Sequence, residues 1–141
     1  MMNVVVARKI ADVRARVTRV RELLPPGPAE FIARRTDAEA LILNLFLALQ
    51  GTSDLALHVV ADRGLGVPAD ARGAFDLLVR AGILDGALAM QLNAAVGLRN
   101  RIAHEYGRLD LTLVFEAARD DLEDLTAFVG AIAAAYGIGG S

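Results

Sequence analysis

The densest set of chemically able side chains lies in Leu98-Arg99-Asn100-Arg101-Ile102-Ala103-His104-Glu105-Tyr106, which holds one of two histidines, two of fourteen arginines and one of two tyrosines. On an ideal helix each residue turns about 100°, so Asn100 and His104 lie on one line. Arg99, Ala103 and Tyr106 form the adjacent stripe, with Arg99 and Tyr106 about 20° apart in projection. One flank then offers a guanidinium, an amide, an imidazole and a phenol. These groups suit a phosphodiester, which needs a fixed cation, a proton-transfer group and orienting hydrogen bonds. The plainer alternative is a polar helix end with a satisfied histidine.

Competing chemistries are thin. The chain has no cysteine, its two histidines stand far apart at His58 and His104, and no HExxH occurs, so no metal site is expected. No glycine-rich loop joins a strand to a helix, and no serine sits in a nucleophile elbow. Asp120, Asp121, Glu123 and Asp124 read as a solvated acidic face. Asp54 and His58, four apart, read as a helix-surface pair, with Asp54 alternatively a supporting group near the cleft. Net charge is −2, so a nucleic-acid role requires a local basic patch.

The elements that must position these groups are helical. The 141 residues are 55% hydrophobic and 5% aromatic, with four prolines, which favours helices and one core built from Leu, Val, Ile and Ala. A first helix runs from Asn3 to Leu24, with Val6, Ile10, Val13, Val17 and Val20 inward and Arg8, Arg14, Arg16, Arg19 and Arg21 mostly on the solvated side. Pro25-Pro26-Gly27-Pro28 stops it, and a short turn or helix follows. Thr36-Asp37-Ala38-Glu39 has the form of a capping box that opens a long helix to about Arg63. Within it, Gly51-Thr52-Ser53-Asp54 marks either a kink or the close approach of another helix. The apolar run Ala40–Leu49 falls short of the roughly 18–20 residues of a membrane span and is expected to be buried in the core or against a second subunit.

A third helix covers Ala69–Arg80, a fourth Gly86–Tyr106 with Asp85 as cap and Gly107 as C′ residue, and a fifth runs from the Asp110 cap to Tyr136. The expected fold is an all-α, up-and-down bundle of about five helices. It forms a single domain over 1–136, with 137–141 as a flexible tail. The first residues lack the basic-then-apolar order of a secretory signal, so the cytoplasm is the expected compartment.

Bare Arg-x4-His is a weak pattern. The extended form Arg99-Asn100-x3-His104-x-Tyr106, at the end of the fourth helix of a small helical chain, resembles the HepT family. That family is the toxin branch of the HEPN (higher eukaryotes and prokaryotes nucleotide-binding) superfamily. The resemblance covers nearly the whole chain. It includes Ala74-Phe75-Asp76-Leu77-Leu78, Ala81-Gly82-Ile83-Leu84-Asp85, Val96 to Tyr106 and, in residue type, Asp54 to Ala61. Leu41–Leu49 departs from it in being more uniformly apolar.

The resemblance implies a metal-independent endoribonuclease toxin, active as a homodimer with two motif copies facing one cleft and no cofactor. Arg99 and His104 would be catalytic, Asn100 and Asp54 supporting, and Arg99 and Arg101 RNA-binding. It further implies an MntA-type minimal nucleotidyltransferase antitoxin that adenylylates Tyr106. RNA supplies its own nucleophile, the 2′-hydroxyl, so this chemistry requires no metal. The runner-up is a catalytically silent helical binding module that partners a nucleotidyltransferase.

Overall fold

The computed structural model describes residues 3–139, and every regular element among them is helical. The α-helices are α1 (Val4–Leu23), α2 (Pro28–Ala33), α3 (Arg35–Asp62), α4 (Ala71–Arg80), α5 (Gly86–Glu105), α6 (Leu111–Asp120) and α7 (Leu122–Ala135). A 3-10 turn, Tyr106–Arg108, follows α5. Residues 140 and 141, the end of the expected tail, lie outside the described residues.

The bundle is organised on α3, which packs along α1 and also touches α2, α4, α5 and α7. The α1 stripe Val6, Ile10, Val13, Val17 and Val20 is buried as the spacing requires. Asn3 begins α1 by accepting a 3.0 Å hydrogen bond from the Val6 N–H. Midway along the contact α1 crosses Gly51 so closely that a Cβ there would lie 3.0 Å from Val13 Cγ2. Gly51 therefore marks a close approach, and α3 stays helical through it.

At 28 residues α3 has the length and hydropathy to cross a membrane. Its buried residues, however, extend from Ala38 to Val60 against the other helices, as in the core helix of a bundle. Aromatic contacts close the ends. Phe31 of α2 meets Phe115 of α6 at 6.0 Å between centroids, and Phe75 of α4 meets Phe128 of α7 edge-on at 5.7 Å.

Three details depart from the sequence reading. The count is seven α-helices among the described residues, not five. One reason is that α2 is a formed helix, opened by Pro28 at its first position. The other is that the expected fifth helix divides at Asp121, where α6 turns onto α2 while α7 lies against α1, α3 and α5. The division falls in the acidic run. Desolvation first, then the neighbouring Asp124 and Asp120, raises the Asp121 carboxyl above the usual range.

The capping box does not form either. The chain passes from α2 into α3 through Arg34 alone, with no side-chain cap, and Glu39 is drawn to Arg35 at 3.1 Å instead of reaching back to Thr36. Finally, Gly107 is not a left-handed C′ residue. In α4 and α7 the glycine that follows (Gly82, φ 78°; Gly137, φ 63°) turns the chain so that Ile83 and Ile138 donate back to Leu78 and Ala133. After α5 the chain tightens into the 3-10 turn, closed by a 3.5 Å Leu109 N–H to Tyr106 O bond.

Candidate active site

Asp85 starts α5 by accepting from the Leu88 N–H at 2.7 Å, and Leu92 and Ile102 anchor the helix in the core. Within its last two turns Arg99 and Ile102 are turned to α3, while Arg101, His104 and Glu105 are exposed. Arg99 is half-buried and held from three sides. Its Nε–H donates to Gln50 Oε1 at 2.7 Å, its Nη1 donates to Asn100 Oδ1 at 3.2 Å, and its guanidinium lies over the Phe46 ring, 5.2 Å from the centroid. Gln50 in turn donates from Nε2 to Asp54 Oδ1 at 2.9 Å. Asn100, Gln50, Phe46 and Asp54 thus hold one cation, two of them directly by hydrogen bonds and one through its ring.

Asp54 therefore joins the motif through Gln50, and the expected Asp54–His58 pair is absent. The Asp54 Oδ1 is instead taken by Gln50 Nε2 one turn back. Sequence reasoning passed over Gln50 and Phe46. The available signal was that Phe46, Gln50 and Asp54 recur four apart across the end of the apolar run and so share one face of α3.

His104 and Tyr106 are exposed, and neither makes a side-chain hydrogen bond among the described residues. Tyr106 borders a groove of about 460 Å³ with Leu43, Phe46, Ile102 and Ala103. Phe46 thus connects the two ends of the motif: one part of it lies under Arg99 and it shares the groove with Tyr106. Arg101 is not brought to this place. It lines a separate groove with Arg72 and Asn93 on another side of α5. The uncovered strip of α3 beside the motif is apolar: Leu43 is 57% exposed, and Phe46 and Leu47 are half-buried. Among the described residues no three His, Asp or Glu side chains gather to hold a metal.

A half-buried arginine with terminal nitrogens to spare, on the same helix as an accessible imidazole five residues on, offers groups that could handle a phosphate on an all-helical bundle. The model of the Ribonuclease HepT-like family matches residues 13–132, and the chain belongs to that family. It is 31% identical over 133 residues to the mRNA nuclease HepT of Shewanella oneidensis, covering 94% of this chain and 99% of that protein. A solved structure of the tri-AMPylated Shewanella oneidensis HEPN toxin in complex with MNT antitoxin superposes with a TM-score of 0.85 at 31% identity, over 94% of this chain and 99% of that one. A toxin–antitoxin structure with AMP-PNP superposes with a TM-score of 0.82 at 29% identity, over 93% of this chain and 99% of that one.

Proposed function

We propose that this protein is the ribonuclease toxin of a toxin–antitoxin pair, a metal-independent endoribonuclease whose cleft forms between two copies of the chain. The observation that carries the reading is a held Arg99 and, on the same helix end, an exposed His104 that makes no side-chain hydrogen bond among the described residues. In the first step the RNA 2′-oxygen bonds to the adjacent phosphorus as the bond to the 5′-oxygen breaks, giving a cyclic phosphate and a free 5′-hydroxyl. His104 takes the proton of the 2′-hydroxyl. Arg99 binds the non-bridging oxygens and stabilises the charge that grows on them. The departing 5′-oxygen requires a proton from a second acid, and His104 of a second copy supplies it.

The apolar strip of Leu43, Phe46 and Leu47 beside the motif supports a homodimer, because pairing there removes it from water and faces two motifs. Arg101, on its separate groove, serves as an outlying RNA contact. Tyr106 is the control point. An MntA-type nucleotidyltransferase transfers AMP from ATP to its phenolic oxygen, with pyrophosphate leaving, and the added phosphate occupies Arg99. The AMPylated state and the antitoxin named for the structural relatives support this assignment. A cytoplasmic location suits an RNA substrate.

The test is cleavage of total RNA by purified protein in the presence of a chelator, beside His104→Ala and Arg99→Ala. Each variant is expected to lose about a hundredfold or more. Equal cleavage by all three would remove the catalytic assignment. A wild type that binds its nucleotidyltransferase but cleaves nothing would make the chain a silent binding module.

A further inference from the structure

We infer that Gln50 is a positioning residue that aims the Arg99 guanidinium end-on at the substrate phosphate and leaves its charge unspent. The inference rests on the proposed role of Arg99. A guanidinium has five N–H groups, and phosphate can take it along the Nε edge or at the two terminal nitrogens. Gln50 Oε1 occupies the Nε–H at 2.7 Å, which closes the first approach. Asn100 takes one hydrogen of Nη1 at 3.2 Å. Three N–H groups remain, all on the terminal nitrogens, so phosphate is met end-on.

The chemistry of the clamp explains why an amide stands at position 50. A carboxylate only accepts hydrogen bonds, so Asp54 Oδ1, 2.9 Å from Gln50 Nε2, requires the NH₂ end of the amide. The carbonyl end is then turned to Arg99. Asp54 thereby fixes which way the amide points, and Gln50 keeps the two charges from direct contact. A carboxylate in place of Gln50 would still accept from the Nε–H, but it would lose the bond to Asp54, face it as a like charge, and pair with Arg99, weakening its attraction for phosphate. The bond links residues 49 positions apart, and it ties the motif helix to the core helix at the catalytic cation.

The experiment compares wild type, Gln50→Met, Gln50→Glu and Arg99→Lys on a short RNA, measuring kcat and KM, with the Arg99 Nε–H signal followed by NMR. Gln50→Met keeps the bulk but removes the acceptor. It is expected to lower kcat about tenfold or more and to expose the Arg99 Nε–H to rapid exchange. Gln50→Glu keeps the acceptor, so the Nε–H stays protected, but it pairs with the Arg99 charge: KM rises and kcat falls because the transition-state charge is less well stabilised.

In an Arg99→Lys background, which has no Nε–H, adding Gln50→Met is expected to cause no further loss. Wild-type kcat in Gln50→Met would overturn the inference. So would an equal loss in the Arg99→Lys background, or an Nε–H signal indifferent to Gln50→Met. If Arg99→Lys itself cleaves as wild type does, the catalytic role of Arg99 fails, and the NMR arm still decides whether Gln50 holds the guanidinium.

Discussion

Gly51→Ala is the substitution whose outcome the structure specifies most sharply. In the middle of a helix, alanine is favoured over glycine by about 1 kcal/mol. The new Cβ would stand 3.0 Å from Val13 Cγ2, against an optimum of roughly 3.5–4.0 Å between carbons. Val13 is 1% exposed, and a β-branched side chain on a helix keeps essentially one rotamer, so its methyl has nowhere to rotate. Overpacking of this kind costs about 1–3 kcal/mol. The balance is a net loss of up to about 2 kcal/mol, in spite of the propensity gain.

Val13→Ala removes the obstructing methyls and by itself costs about 2 kcal/mol in lost burial and cavity. In that background Gly51→Ala is expected to change sign and stabilise by about 1 kcal/mol. Urea unfolding of the four proteins measures the cycle, with unchanged m-values as the check that only stability has moved. A Gly51→Ala effect of the same sign and size in both backgrounds would refute the close-approach account of this glycine.

Other outcomes follow from single groups. Phe128, fully buried and edge-on to Phe75, is expected to cost about 3–5 kcal/mol as Phe128→Ala, read in the same urea titration. Asp121 holds its proton more tightly folded than unfolded, mainly through desolvation and then through Asp124 and Asp120. Its contribution to stability is therefore lost as pH rises through and above the carboxylate range. Asp121→Asn, which gives up no cap hydrogen bond because Asp121 makes none, should be more stable than wild type at neutral pH by no more than about 0.5 kcal/mol after solvent screening. That gain should vanish below about pH 4. Thermal melts across that range check both the sign and the window. Tyr106→Phe should cleave RNA within about twofold of wild type yet accept no AMP from its nucleotidyltransferase, read by intact mass.

Local chemistry made much of the bundle legible. The Val6–Val20 stripe and the caps Asp85 and Asp110 are where a 3.6-residue period and carboxylate capping put them. The break at Asp121 was not legible, because helix-forming residues continue on both sides and the division reflects which neighbours α6 and α7 pack against. The start of α3 was misjudged because Arg35 competes for Glu39. Within the site, Arg99, Asn100, His104 and Tyr106 could be read from one helix. Gln50 could not, because its meaning comes from a partner 49 residues away that only the packing of α5 on α3 supplies. Arg101 was grouped with Arg99 on the implied dimeric cleft, and two positions along a helix is enough to send it to another side.

The turn after α5 has a consequence for access. Tyr106 is 53% exposed and sits just outside the helix, in a segment closed by one long backbone hydrogen bond. Opening such a segment draws little on the free energy that holds the core, so its amides should exchange far faster than those around Ile102. An enzyme that must carry a phenol at this position into its own active site can therefore unwind the chain from Glu105 onward, where the backbone already leaves helical geometry, and keep the rest of α5, with the held arginine upon it, folded throughout.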